Sequence, residues 1–156
     1  MSEIDVVDEA IIDADPATVA KAITSDEAAG KTHWWLPLWE AKQRGDIPPN
    51  QVGGMIDITV HGRRGTVKFT AKTTEIKENM ARVEYVEGAF RGEGIWTFEP
   101  VDGKTRLRFR WRVRPSGWLL RLLAPFIDIG QSHHEVMKAG FEGLNQHVKH
   151  LKGEPS

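Results

Sequence analysis

The sequence predicts an α+β domain: a curved antiparallel β-sheet of about six strands wrapped around a long C-terminal α-helix, with two short helices after the first strand. Three observations lead there. Between residues 54 and 115, apolar side chains recur with a period of two, and the runs are separated by short turn signals. From about 128 to 151 the period becomes helical, with Met137, Phe141, Leu144, Val148 and Leu151 on one face. A helix that is oily on one face needs a partner surface, and the oily face of the meander is the large one on offer.

Each element has a local reason. Residues 3–13 hold Ile4, Val6, Val7, Ile11 and Ile12 among acids, a first strand with imperfect alternation. In DADPATVAKAI, Asp15 suits a helix N-cap and Pro16 the first helical position, with Val19 and Ile23 on one face and Gly30 as the stop. THWWLPLWEAKQRG reads as the second short helix, capped by Thr32, with Trp35 and Trp39 four apart. DIPPNQVGG is a connector. Strands then follow at GMIDITVHG, TVKFTAKTTEI, ARVEYVEG, GEGIWTFEP and TRLRFRWRVRP. GRRG at 62–65 and KENM are turns, and Asp102-Gly103 is a strong hairpin signal. Turns this tight join antiparallel strands only. WLLRLLAP is a short helix or turn before the long one.

Composition narrows the function. The chain has 156 residues, enough for one domain with a real core, assigned to 1–152 with a frayed tail at 153–156. Lysine plus arginine is 21 against 22 aspartate plus glutamate, without the basic excess of a dedicated nucleic-acid binder. There is no cysteine, which removes disulfides, thiolate metal sites and a thiol nucleophile. The N-terminus lacks the apolar run of a signal peptide, and no apolar run nears the ~20 residues of a membrane span. A cytoplasmic location is the expectation.

The order of elements resembles the START-like, or SRPBCC, superfamily, with its polyketide cyclase/dehydrase and lipid-transport group. The resemblance spans nearly the whole chain. It is carried by IIDADPATVAKAI, by GAFRGEGIWTFEPVDGKTRLRFRW and by LLAPFIDIGQSHHEVMKAGFEGLNQHV. It implies a helix-grip fold with an apolar cavity between sheet and long helix. Members bind lipids, polyketides or other apolar molecules, and a few catalyse cyclisation or dehydration. It carries no motif that fixes catalytic residues.

The resemblance also settles how to read the arginines at 106, 108, 110, 112 and 114, which alternate with Leu107, Phe109, Trp111 and Val113. In that fold the last strand lies between the first and the penultimate. Glu3, Asp5, Asp8, Glu9 and Asp13 on one side, and Glu93 and Glu99 on the other, would neutralise the comb. The arginines are then a solvated face with no nucleic-acid partner. Interest moves to the other face, where Val67, Phe69, Thr73, Tyr85, Trp96, Phe98, Phe109 and Trp111 meet His133, Met137 and Phe141 of the helix. These are the candidate ligand-binding residues, with Thr73, Tyr85, Gln131 and His133 as the polar groups of an otherwise apolar pocket.

Other chemistry falls away. Adjacent His133 and His134 diverge by about 100° on a helix and do not suit one metal. HEVMK lacks the second histidine of a zinc-protease motif. His147 and His150 read as a solvated pair. There is no nucleophile elbow, Walker motif or dinucleotide fingerprint, so neither metal nor cofactor is expected. His133 and Tyr85 remain as candidates to polarise a carbonyl and move a proton. The leading expectation is a carrier or binding protein for a hydrophobic small molecule. A cyclase, aromatase or dehydratase on the same pocket is the second, and a protein-interaction or toxin-like regulatory module is the third. The Trp-rich segment around Trp34, Trp35 and Trp39 and the stretch 118–127 suit a pocket mouth, a transient membrane contact, core packing or a homodimer contact.

Overall fold

The computed structural model describes residues 4–28, 39–48, 51–62, 65–116 and 129–151. In chain order these form β1 (Ile4–Ile12), α1 (Pro16–Ala28), β2 (Trp39–Arg44), β3 (Met55–Gly62), β4 (Gly65–Lys77), β5 (Met80–Gly88), β6 (Phe90–Val101), β7 (Lys104–Pro115) and α2 (Ile129–Leu151). One antiparallel sheet runs β1-β7-β6-β5-β4-β3-β2. This is the helix-grip arrangement, with seven strands where the sequence predicts about six.

The extra strand lies in the segment expected to be a second helix. Trp39 to Arg44 pairs residue by residue with Val60 to Met55 of β3. The local helical preference of Glu-Ala-Lys-Gln yields to the open edge of β3, with Ala41 turned into the core and Glu40 and Lys42 turned out. Trp34, Trp35 and the rest of that expected helix lie outside the described residues, as does the 118–127 stretch.

Elsewhere the local reasons hold. Asp15 caps α1, accepting hydrogen bonds from Thr18 N at 3.2 Å and Thr18 Oγ1 at 2.6 Å. The Asp102-Gly103 turn has φ of 50° and 78°, the doubly left-handed geometry that a two-residue hairpin requires and that Gly103 adopts at no steric cost. The register of β4 against β5 slips between Thr70 and Ala71 and again between Thr73 and Glu75. Such bulges bend and twist a strand, which lets the sheet curl.

The two faces of β7 separate cleanly. Leu107, Phe109, Trp111 and Val113 are buried. On the outer face Arg108 meets Glu9 at 2.7 Å, Arg110 meets Asp5 at 2.9 Å, and Arg106 meets Glu99 at 3.2 Å. Arg112 lies 3.7 Å from both Asp5 and Glu93. The comb is an ion-paired surface, and pairs of this kind contribute about 0–1 kcal/mol each.

On α2, Met137, Gly140, Phe141, Leu144 and Val148 turn inward. Asn145 fixes the helix to the end of β1: its Nδ2 donates to Ile11 O and its Oδ1 accepts from Asp13 N, both at 2.9 Å. Twelve residues earlier, His133 and His134 reach Asp8 of the same strand. The two ties are about 18 Å apart along the helix, and Ile11 and Asp13 lie about 10 and 17 Å of extended chain beyond Asp8, so the ties pin α2 at two separate points along β1 and its end. Asn145→Ala removes one tie and leaves two backbone groups short of a partner. We expect a loss of about 1–2 kcal/mol, read as a lower urea midpoint with an unchanged slope. An unchanged midpoint would mean that water replaces the tie at no cost.

Candidate functional site

The pleat of the sheet decides which side chains meet α2. Phe69 and Thr73 of β4, Tyr85 of β5, Trp96 and Phe98 of β6, and Phe109 and Trp111 of β7 are all buried on the inner face. Val67 is partly buried against the same core. From the helix come Met137 and Phe141, both buried, and His133.

The rings form a connected run. Tyr85 meets Phe69 edge-to-face at 5.3 Å, Phe69 meets Phe90 at 5.5 Å, and Phe90 meets Trp111 at 5.0 Å. Trp111 stacks on the imidazole of His133 at 4.0 Å with the planes 8° apart. His133 lies 5.7 Å from Phe109, which stacks on its cross-strand neighbour Trp96 at 4.1 Å. Gly94 makes room for this: a Cβ there would come within 2.8 Å of both the Phe109 ring edge and the Tyr85 hydroxyl. His133 and Tyr85, the two residues singled out for proton chemistry, therefore both neighbour Phe109. Phe98 pairs with Leu107 and borders a separate open cleft of about 530 Å³ between α1 and the β4–β5 turn. Gln131, an expected polar group of the pocket, is exposed.

Asp8 is the residue that the sequence reading misplaced. Expected among the acids facing the arginines, it instead points inward and is 2% exposed. His133 Nδ1 lies 3.2 Å from its Oδ2, and His134 Nδ1 bonds to its Oδ1. Burial opposes ionisation of Asp8. The hydrogen bonds and charges of His133 and His134 outweigh that, and the carboxyl titrates below its ordinary 3.8. For His133 burial is the largest influence and holds the imidazole below its ordinary 6.5, against the pull of Asp8. An ionised carboxylate only accepts, so each Nδ1 carries the proton, and the neutral His133 ring presents a bare Nε2. The imidazoles donate to separate oxygens. Among the described residues no three such side chains converge as metal ligands.

Phe90, which links Phe69 to Trp111, also escaped the sequence reading, because it sits alone beside the Gly88-Ala89 turn. His147, expected to be solvated with His150, is half-buried, and the side chain of His150 lies outside the described residues. No described helix is long and apolar enough to cross a membrane.

Comparison with known proteins agrees with this geometry. A family model described as polyketide cyclase / dehydrase and lipid transport matches residues 3–149. Among solved structures, TTHA0849 from Thermus thermophilus superposes with a TM-score of 0.71 at 20% identity, over 93% of this chain and 97% of that one. A START superfamily protein from Mycobacterium smegmatis gives 0.67 at 16%, over 94% and 98%. The Zhui aromatase/cyclase from Streptomyces sp. R1128 gives 0.68 at 11%, over 95% and 94%. At these identities the likeness is one of fold. No curated protein sequence matches.

The Asp8–His133 pair sets a pH dependence. Both folded pKa values are depressed, so the unfolded chain binds protons more readily than the folded one. The stability tied to His133 is full above 6.5 and is lost as pH falls toward its folded value. That tied to Asp8 is lost below 3.8. Urea midpoints measured at pH 7.5 and pH 5 should fall more steeply for the wild type than for His133→Phe. Equal pH slopes would remove His133 from this role.

Proposed function

The chain belongs to the polyketide cyclase/dehydrase and lipid transport family, a fold that binds hydrophobic ligands, and on that premise we propose that it binds a hydrophobic small molecule between the inner face of the sheet and α2. The class is a lipid, a polyketide or an aromatic metabolite. The observation that carries this reading is the run of rings from Tyr85 to Trp96, which includes His133, the histidine held by Asp8. Rings present flat apolar area at little cost in conformational entropy, and each 100 Å² of ligand surface they cover contributes about 2.5 kcal/mol. A few polar groups in such a surroundings orient what is bound.

A catalytic reading has its own support. The Asp8 carboxylate orients the His133 ring and stabilises a positive charge on it, an arrangement suited to a general base. An enzyme of this kind takes a proton from a carbonyl-bearing ligand at Nε2 and returns it to an oxygen of the same molecule. Its mark is turnover lost in His133→Phe while binding persists.

Native mass spectrometry of freshly purified protein should show an adduct of a few hundred daltons that denaturation removes. The neutral probe N-phenyl-1-naphthylamine should bind saturably with quenching of tryptophan emission. Trp111→Ala, which deletes the ring stacked on His133, should weaken that binding by about tenfold. Purified protein that carries no small molecule and binds no apolar probe would defeat the proposal, and a copurifying macromolecule in its place would favour an interaction module.

A further inference from the structure

The polar end of the site is built for one hydrogen-bonding polarity. Asp8 is 2% exposed and the His133 side chain 11%. Nδ1 of His133 is committed to Asp8, and the ring face is covered by Trp111 at 4.0 Å. Among the described residues no hydrogen bond to Nε2 is found. A ligand that reaches this ring therefore meets a lone pair in aromatic surroundings, with no donor at that atom.

We propose that His133 Nε2 is the specificity-determining contact of the binding site, selecting neutral apolar molecules that carry a hydroxyl group, such as phenols and alcohols, over the matching ethers and carboxylates. The inference rests on the binding reading above and deepens it. A hydroxyl donates to the bare Nε2. An ether has no proton to give; seated over that nitrogen it displaces water without replacing its hydrogen bond, which is where polar sites gain their discrimination. A carboxylate brings a second negative charge toward Asp8. Asp8 is a positioning residue: it keeps the proton on Nδ1 and so keeps Nε2 an acceptor. Asparagine at position 8 can donate to Nδ1, which moves the ring proton to Nε2 and turns the acceptor into a donor. The groups around His133 allow a clean pH readout. Among the described residues, Asp8 of β1 is the titratable group in contact with His133 and His134 of α2 the one that shares Asp8 with it, while Trp111 and Phe109 of β7 carry no charge.

The test compares 1-naphthol with 1-methoxynaphthalene by calorimetry on the full chain. At pH 7.5 the wild type should bind 1-naphthol about tenfold more tightly than its methyl ether. The ratio should collapse toward one in His133→Phe, which keeps an aromatic ring against Trp111, and should shrink in Asp8→Asn. It should also fall with acidification, as Nε2 gains a proton. If the wild type binds both probes equally, the selectivity is overturned and the apolar pocket stands. If neither probe binds, the pocket itself is overturned. Should either variant fail to fold, the wild-type ratio and its pH dependence decide the matter alone.

Discussion

The carboxylate of Asp8 is the constraint around which the rest is arranged. A charge sealed between a strand and a helix is costly unless hydrogen bonds replace its water. Here two imidazoles do so, both from the first turns of α2 and each taking one oxygen. The arrangement holds only if α2 crosses β1 at this height, with Asp8 on the inner face and both histidines turned down. Asn145 repeats the logic at the far end of the strand, where it satisfies Ile11 O and Asp13 N. Between the two ties the helix is held along β1, the edge strand, while the rest of the sheet curls beneath it. Position is set by polar contacts at the margin, and the middle is left to apolar side chains.

That middle depends on curvature. Two register slips in β4 bend the long strand that carries Phe69 and Thr73. Gly94 lets Phe109 and Tyr85 close over the backbone of β6. The rings consequently touch edge-to-face or stacked instead of standing as a flat row. His133 joins that run as another ring, parallel to Trp111 and at the same spacing as Trp96 from Phe109 to within 0.1 Å. It belongs both to the aromatic surface and to the polar pair, so one residue links the packing of the rings to the hydrogen bonding of Asp8.

Much of this was legible in the sequence, for reasons that differ by element. The late strands alternate strictly, and β7 reads at once as a wet face and an oily face because Arg106, Arg108, Arg110 and Arg112 each have an acid on a neighbouring strand. The inward stripe of α2 follows from spacing alone. Asp8 was equally legible by parity. It shares its face with Ile4, Val6, Ala10 and Ile12, and neighbouring strand residues such as Asp8 and Glu9 cannot point the same way. Exposed Val7 and Ile11 blurred that alternation, and the pull of the arginine comb made every acid in β1 look like its counter-ion. β2 was not legible: a short run of Glu, Ala, Lys and Gln becomes a strand because β3 offers an unpaired edge, a fact about tertiary structure. The meeting of His133 and His134 on one carboxylate was hidden for a related reason. Their divergence around the helix argues against a shared point ligand, but a carboxylate has two oxygens and accepts from two directions.

The same strand pairing that neutralises the outside charges the inside. β1 and β7 lie side by side, so Asp5 and Glu9 face arginines on one surface, and Asp8, opposite Phe109, faces rings and histidines on the other. Outside, water screens each pair and any one could be exchanged for another. Inside, among the described residues, the two imidazoles are the side chains that stand in for water, and removing either takes a hydrogen bond from a buried charge. A buried ion pair contributes little to stability compared with well-packed apolar residues of the same volume. Methionine at position 8 and leucine at 133 would suit a plain core as well. An ionised carboxylate held against a histidine that is itself wedged among aromatic rings is therefore not accounted for by the stability of the core alone.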